Sequence, residues 1–159
     1  MNEKLSPSAR KVQDALDACG VACLVQELAI SARTAAEAAE AVNCHVGQIV
    51  KSLIFKGSRS GAPVLALVSG KNRVNEALLE TACGEPVGKA DAAFVRERTG
   101  FAIGGIPPLG HLEPLSPIID QDLLQYPEVW AAGGTPHALF RITPAELVAI
   151  TGGQTAPLS

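Results

Sequence analysis

The chain has 159 residues, 47% hydrophobic and only 18% charged, which excludes a disordered or low-complexity chain and fits one domain with a sizeable buried core. A net charge of −3 excludes nucleic-acid recognition through a global positive field, so any such contact depends on a local basic patch. The N-terminus MNEKLSPSARKVQDAL lacks an apolar h-region and the longest aliphatic run is Val64–Val68. Neither a secretion signal nor a membrane span is therefore expected, and the expected location is the cytoplasm.

Ser6-Pro7 reads as a helix N-cap followed by the favoured first-turn proline. Val12, Ala15, Leu16 and Cys19 recur at helical spacing and Gly20 stops the helix. Val21–Leu28 is strand-like. Thr34 and Glu37 form a capping box for a short alanine-rich helix ending near Asn43, and Cys44–Ile49 continues as a turn. The spacing then predicts an antiparallel hairpin of Val50–Phe55 and Val64–Ser69 around the turn GSRSGAP.

A helix carrying Val74, Ala77, Leu78 and Ala82 closes at Gly84, Pro86–Lys89 is extended, and Asp91 caps a helix through Arg98. Leu115–Asp120 is extended and runs into a helical turn. Val129–Ala132 and Ala138–Ile142 read as strands, and Thr143-Pro144-Ala145-Glu146 is a second capping box opening the last helix. Short strands mixed irregularly with short helices predict an α+β fold with a mixed, barrel-like sheet, in one domain spanning residues 1–159.

Two features stand apart from this scaffold. In VKSLIF, Val50, Ser52 and Ile54 face one way and Lys51, Leu53 and Phe55 the other, which places a lysine on an apolar face. It either snorkels from a strand end or points into a partly enclosed cavity. The segment Thr99–His111, TGFAIGGIPPLGH, packs four glycines and two prolines with no period. It is either a connector or a rigid wall with N–H groups turned to a ligand.

Familiar catalytic motifs are absent: there is no Walker loop, G-x-S-x-G elbow, H-E-x-x-H or His ligand pair. Cys19, Cys23, Cys44 and Cys83 match no zinc or redox spacing, so neither a disulfide nor a structural metal is expected. His45, His111 and His137 are scattered. Ser69-Gly70 follows a strand without the second glycine of an elbow, and Lys71, Arg73, Arg96 and Arg98 are candidate phosphate contacts. An enzyme built from these parts works by positioning and by backbone stabilisation of an oxyanion, with no covalent nucleophile.

The ordered set VKSLIF, PVLALVSG, TGFAIGGIPPLGH, the Asp120 segment, VWAAGG and the T-P-A-E-L helix resembles the YbaK/EbsC family. These are aminoacyl-tRNA deacylases related to the editing insertion of bacterial prolyl-tRNA synthetase. The likeness runs from about Val21 to Gly152. It implies hydrolysis of the ester joining a small, wrongly attached amino acid to tRNA, such as tRNA-Pro, without metal or other cofactor. Lys51 matches the family's lysine, which implies contact with the terminal adenosine of the acceptor end. Gly104, Gly105, Ile106, Pro107 and Pro108 match the loop that holds the aminoacyl carbonyl.

Ser52, Ser69 and His137 join them as substrate-binding candidates, and Gly104 and Gly105 as donors to the oxyanion. Expected partners are the aminoacyl-tRNA acceptor end and a prolyl-tRNA synthetase, with no DNA and no membrane. The chain departs from some members, which carry a serine where Ala132 stands and an acidic residue where Ala138–Phe140 is apolar. His137 is then either a replacement polar group or a turn histidine. Competing readings are a non-catalytic tRNA- or synthetase-binding module of the same fold, and an unrelated small-molecule domain in which Lys51 only snorkels.

Overall fold

The computed structural model describes residues 5–159, which form five α-helices and eight strands. The elements in chain order are α1 (Pro7–Ala18), β1 (Gln26–Glu27), α2 (Ala35–Val42), β2 (Ile49–Gly57), β3 (Pro63–Ser69), α3 (Glu76–Cys83) and β4 (Val87–Lys89). They continue with α4 (Ala92–Thr99), β5 (Ile118–Asp120), β6 (Val129–Ala132), β7 (Ala138–Ile142), α5 (Pro144–Thr151) and β8 (Gln154–Ala156). All strands belong to one mixed sheet of order β1-β7-β6-β2-β3-β5-β8, with β4 added against β2.

Local chemistry accounts for most boundaries. The Ser6 hydroxyl accepts from the Ala9 N–H with Pro7 in the first turn of α1. Both capping boxes form as read, Thr34 with Glu37 on α2 and Thr143 with Glu146 on α5. The β2–β3 hairpin pairs Val50 with Ser69 through Lys56 with Pro63. Its two faces separate as the alternation predicts. Val50 and Ile54 join Leu65 and Leu67 in the main core, which also holds Val12 and Leu16 of α1, Phe101, Ile106 and Phe140. Leu53 and Phe55 pack on the other side with Ala66, Val68 and Leu79 of α3. α2 lays Ala38 and Ala39 on Ile49 and Leu139.

Three elements differ from the sequence reading. Val74 was placed in the third helix, yet Asn75 caps α3 by accepting from the Ala77 and Leu78 N–H groups, so the helix starts at Glu76 and Val74 precedes it. Val21–Leu28 was expected to be a strand, yet only Gln26–Glu27 pairs, with Leu139 and Ala138. The buried Gln13 side chain donates to the Cys23 carbonyl (2.9 Å) and accepts from the Val25 N–H (2.8 Å), so an α1 side chain takes the groups a ladder would have used. In the opposite sense, the segment after Gly152 forms β8, parallel to β5. Gly152 stops α5 at φ +65°, and Gly153 passes so close to the Pro117 carbonyl that a Cβ would lie 2.6 Å from it.

Candidate active site

The site begins with an unusual strand edge. β3 covers one edge of β2 from Val50 to Lys56. The other edge is shared: β6 pairs in parallel with Ile49 and Val50, and β4 pairs antiparallel with Phe55, Lys56 and Gly57. Residues 51–54 face no strand there. A cavity of about 410 Å3 opens against this gap. It is lined by consecutive residues of β2, Ile49 to Leu53, with Ile103, Gly104, Ile106, Ala132 and Leu139 opposite, and with Arg33, Thr34 and α2 alanines at one end. The walls are mainly aliphatic, with Lys51, Ser52, Arg33 and Thr34 as the polar side chains.

Lys51 is half-buried on this wall, and its Nζ donates to the Asn72 carbonyl. Burial holds its pKa below the ordinary 10.5, the Asp120 carboxylate pulls it back up, and Arg73 pushes it down again. Asp120 is itself buried and accepts from the Ser69 N–H (3.0 Å), the Asn72 side-chain amide (2.9 Å) and the Asp122 N–H (3.0 Å). The Asn72 amide also reaches Asp122 at 2.8 Å. The loop that supplies Lys51 with its acceptor is thus fixed by one carboxylate at the end of β5 and another in the turn after it. Sequence reading missed Asn72 and treated Asp120 only as part of a segment; the available signal was an aspartate ending the apolar run Ile118-Ile119.

The glycine-proline loop divides into a surface and a support. The Gly105 N–H donates to the Ala102 carbonyl (3.1 Å), closing a turn in which Gly104 has φ +99°. Gly104 and Ile106 line the cavity. Gly105 does not: a Cβ there would lie 2.8 Å from the Thr135 backbone, and its N–H is committed to the turn rather than free for an oxyanion. Pro107 and Pro108 are buried behind the wall. His111 clips the loop through Nε2–H to the Pro107 carbonyl (2.7 Å), with its ring edge-on to Phe101. The segment is a wall.

The remaining candidates stand elsewhere. Ser69 is fully buried, with its hydroxyl donating to the Gly47 carbonyl at 2.7 Å, and it holds the start of β2 without reaching the cavity. His137 is exposed and lies outside the cavity lining; its Nδ1 meets the Ile30 carbonyl at 3.0 Å, which ties the β6–β7 turn to the segment before α2. Ser52 lines the cavity, and its buried hydroxyl has no hydrogen-bond partner among the described residues. Arg33, not singled out from sequence, arches over Gly104, with Cγ and Nε at 3.0 and 3.1 Å from where a Cβ would stand. Among the described residues no three His, Cys, Asp or Glu side chains cluster as a metal site, and no helix is long and apolar enough to cross a membrane.

The sequence pattern of the aminoacyl-tRNA editing domain matches residues 30–150, a stretch containing Lys51, the strand gap and the glycine-proline wall. The chain belongs to this family. A solved structure of a candidate trans-editing enzyme for prolyl-tRNA synthetase is 57% identical and superposes with a TM-score of 0.92, covering 98% of this chain and 99% of its own. The editing-domain fold is therefore shared over nearly the whole chain. Among curated relatives, the uncharacterised protein YwhH of Bacillus subtilis is 28% identical over 77% of this chain and 78% of its own length. EbsC of Enterococcus faecalis, a candidate Cys-tRNA(Pro)/Cys-tRNA(Cys) deacylase, is 24% identical over 79% of this chain and 77% of its own.

Proposed function

We propose that this editing-domain protein is a trans-editing deacylase that hydrolyses the ester of a small amino acid mischarged on tRNA, with tRNA-Pro as the favoured carrier. One observation carries the reading: a lysine and a mainly aliphatic cavity of about 410 Å3 share one strand, facing a rigid glycine-proline wall. The names of the 57% identical structure and of EbsC support the same class of substrate. Lys51 supplies a compact cation for a phosphate or ribose oxygen of the terminal nucleotide. Ile106, in the core cluster that holds Val50 and Ile54, receives the amino acid side chain.

In the proposed step, water adds to the ester carbonyl carbon, the bond from that carbon to the ribose oxygen breaks, and the ribose oxygen leaves with a proton. Amino acid and tRNA with a free hydroxyl result. An aminoacyl ester is already activated, so orientation and charge stabilisation carry the step without an acyl-enzyme or a metal. The acceptor end is the partner in this reading, and a prolyl-tRNA synthetase is the protein that best supplies the remaining tRNA affinity to a chain of net charge −3.

The test is deacylation of a panel of mischarged tRNAs by wild type and Lys51→Ala. Wild type is expected to release at least one small amino acid, and Lys51→Ala to lose roughly a hundredfold or more in rate. Binding without hydrolysis by wild type would turn the protein into a capture module, and full activity in Lys51→Ala would move the site.

A further inference from the structure

The gap in the β2 edge has a hydrogen-bonding pattern that the lysine and the glycine loop do not use. In an antiparallel ladder, the N–H and C=O of one residue point to the same edge, and successive residues alternate between edges. The Gly57 N–H donates to the Ala62 carbonyl (2.9 Å) and the Ile49 carbonyl accepts from Gly70 N–H (2.7 Å), both on the β3 side. The odd-numbered residues of β2 therefore bond β3. Val50, Ser52, Ile54 and Lys56 present their peptide groups to the other edge. Val50 meets β6 there and Lys56 meets β4. Ile54 lends its C=O to the pairing that opens at Phe55 and Lys89, so Ser52 is the residue that meets neither strand, and the cavity lies against it.

An aminoacyl ester carries an amine and a carbonyl across one α-carbon, as a strand residue does. We propose that the aminoacyl group enters the gap as a one-residue strand opposite Ser52, whose C=O accepts from the α-ammonium and whose N–H donates to the ester carbonyl. This rests on the deacylase reading. The geometry is that of a hydrogen-bonded antiparallel pair, in which two residues exchange both bonds. Residues 51–54, outside both pairings on this edge, span about 13 Å, which holds one aminoacyl residue and leaves length for the ribose.

Two consequences follow from the placement. Directly opposed residues share a face, so the substrate side chain lies on the Ser52 face, towards Ile106, which belongs to the same core as Val50 and Ile54. The Ser52 N–H, aimed at the carbonyl on which negative charge develops, takes the oxyanion role that the Gly105 N–H, bonded to Ala102, does not fill. The free α-amino group becomes a recognition element, read by a main-chain carbonyl.

The experiment has two arms, run on a tRNA that wild type deacylates. In the first, the same aminoacyl-tRNA is compared with its N-acetylated form. A loss of about tenfold or more in kcat/KM on acetylation is expected, since a charge-assisted bond is removed; equal rates overturn the proposal. In the second, Ser52→Pro deletes an N–H that the β2–β3 ladder does not use. A folded variant, checked by circular dichroism, is expected to lose roughly a hundredfold in kcat with KM held. Undiminished kcat overturns the proposal, and if the variant does not fold the N-acetyl arm decides. Failure of wild type on every aminoacyl-tRNA is a different outcome, since it removes the deacylase reading itself.

Discussion

His111 shows how a side chain outside the cavity conditions the site. Burial pushes its pKa below the ordinary 6.5, and donation to the Pro107 carbonyl raises it only part of the way back. The unfolded chain therefore binds the proton more readily than the folded one. Stability is fully present above about pH 6.5 and declines as pH falls through the folded-state value. His111→Gln is expected to flatten that decline in denaturant midpoints measured from about pH 7.5 to 5; an unchanged slope places the pH sensitivity elsewhere. The two loop glycines separate in the same way. Gly105→Ala drives a Cβ into the Thr135 backbone and is expected to cost about 1–3 kcal/mol of stability. Gly104→Ala meets only the flexible Arg33 side chain but strains a residue at φ +99°, so turnover should fall further than stability. Comparing thermal midpoints with deacylation rates checks both, and the reverse ranking would reassign the wall.

At the scale of elements, helix ends were legible because their signals are local. Ser6, Thr34, Asp91 and Thr143 each accept from an N–H in the first turn of their helix, and Gly84, Gly100 and Gly152 end theirs with positive φ. Thr143→Ala removes the acceptor for Glu146 N–H (3.2 Å) and is expected to destabilise by about 1 kcal/mol in urea titration, with kcat unchanged. The strands β1 and β8 were misread because two or three residues carry no period. Their existence depends on partners far away in sequence, β7 in one case and β5 with Pro117 in the other.

For the whole molecule, the net charge of −3 makes the tRNA binding proposed above a local matter, with Lys51 and Arg33 lining the cavity and Arg73 within electrostatic reach of Lys51. The proposed tRNA complex is expected to weaken with salt by the slope of only a few phosphate contacts, measured by titration across a range of ionic strength. A flat response would instead indicate a ligand without phosphates. The sequence by itself determined most helix limits, the β2–β3 hairpin and the two faces of VKSLIF, because caps, glycines and alternation act within a few residues; the pairing of Lys51 with a distant glycine-proline segment was implied only by the family resemblance. Only the tertiary structure decided which glycine lines the cavity, that Ser69 and His137 stand outside it, and that Asp120 anchors the acceptor of Lys51. It alone also decided that the second edge of β2 is divided between β6 and β4. An edge left open over residues 51–54 has no signature in the residues themselves; it exists because two strands far apart in the chain end short of each other.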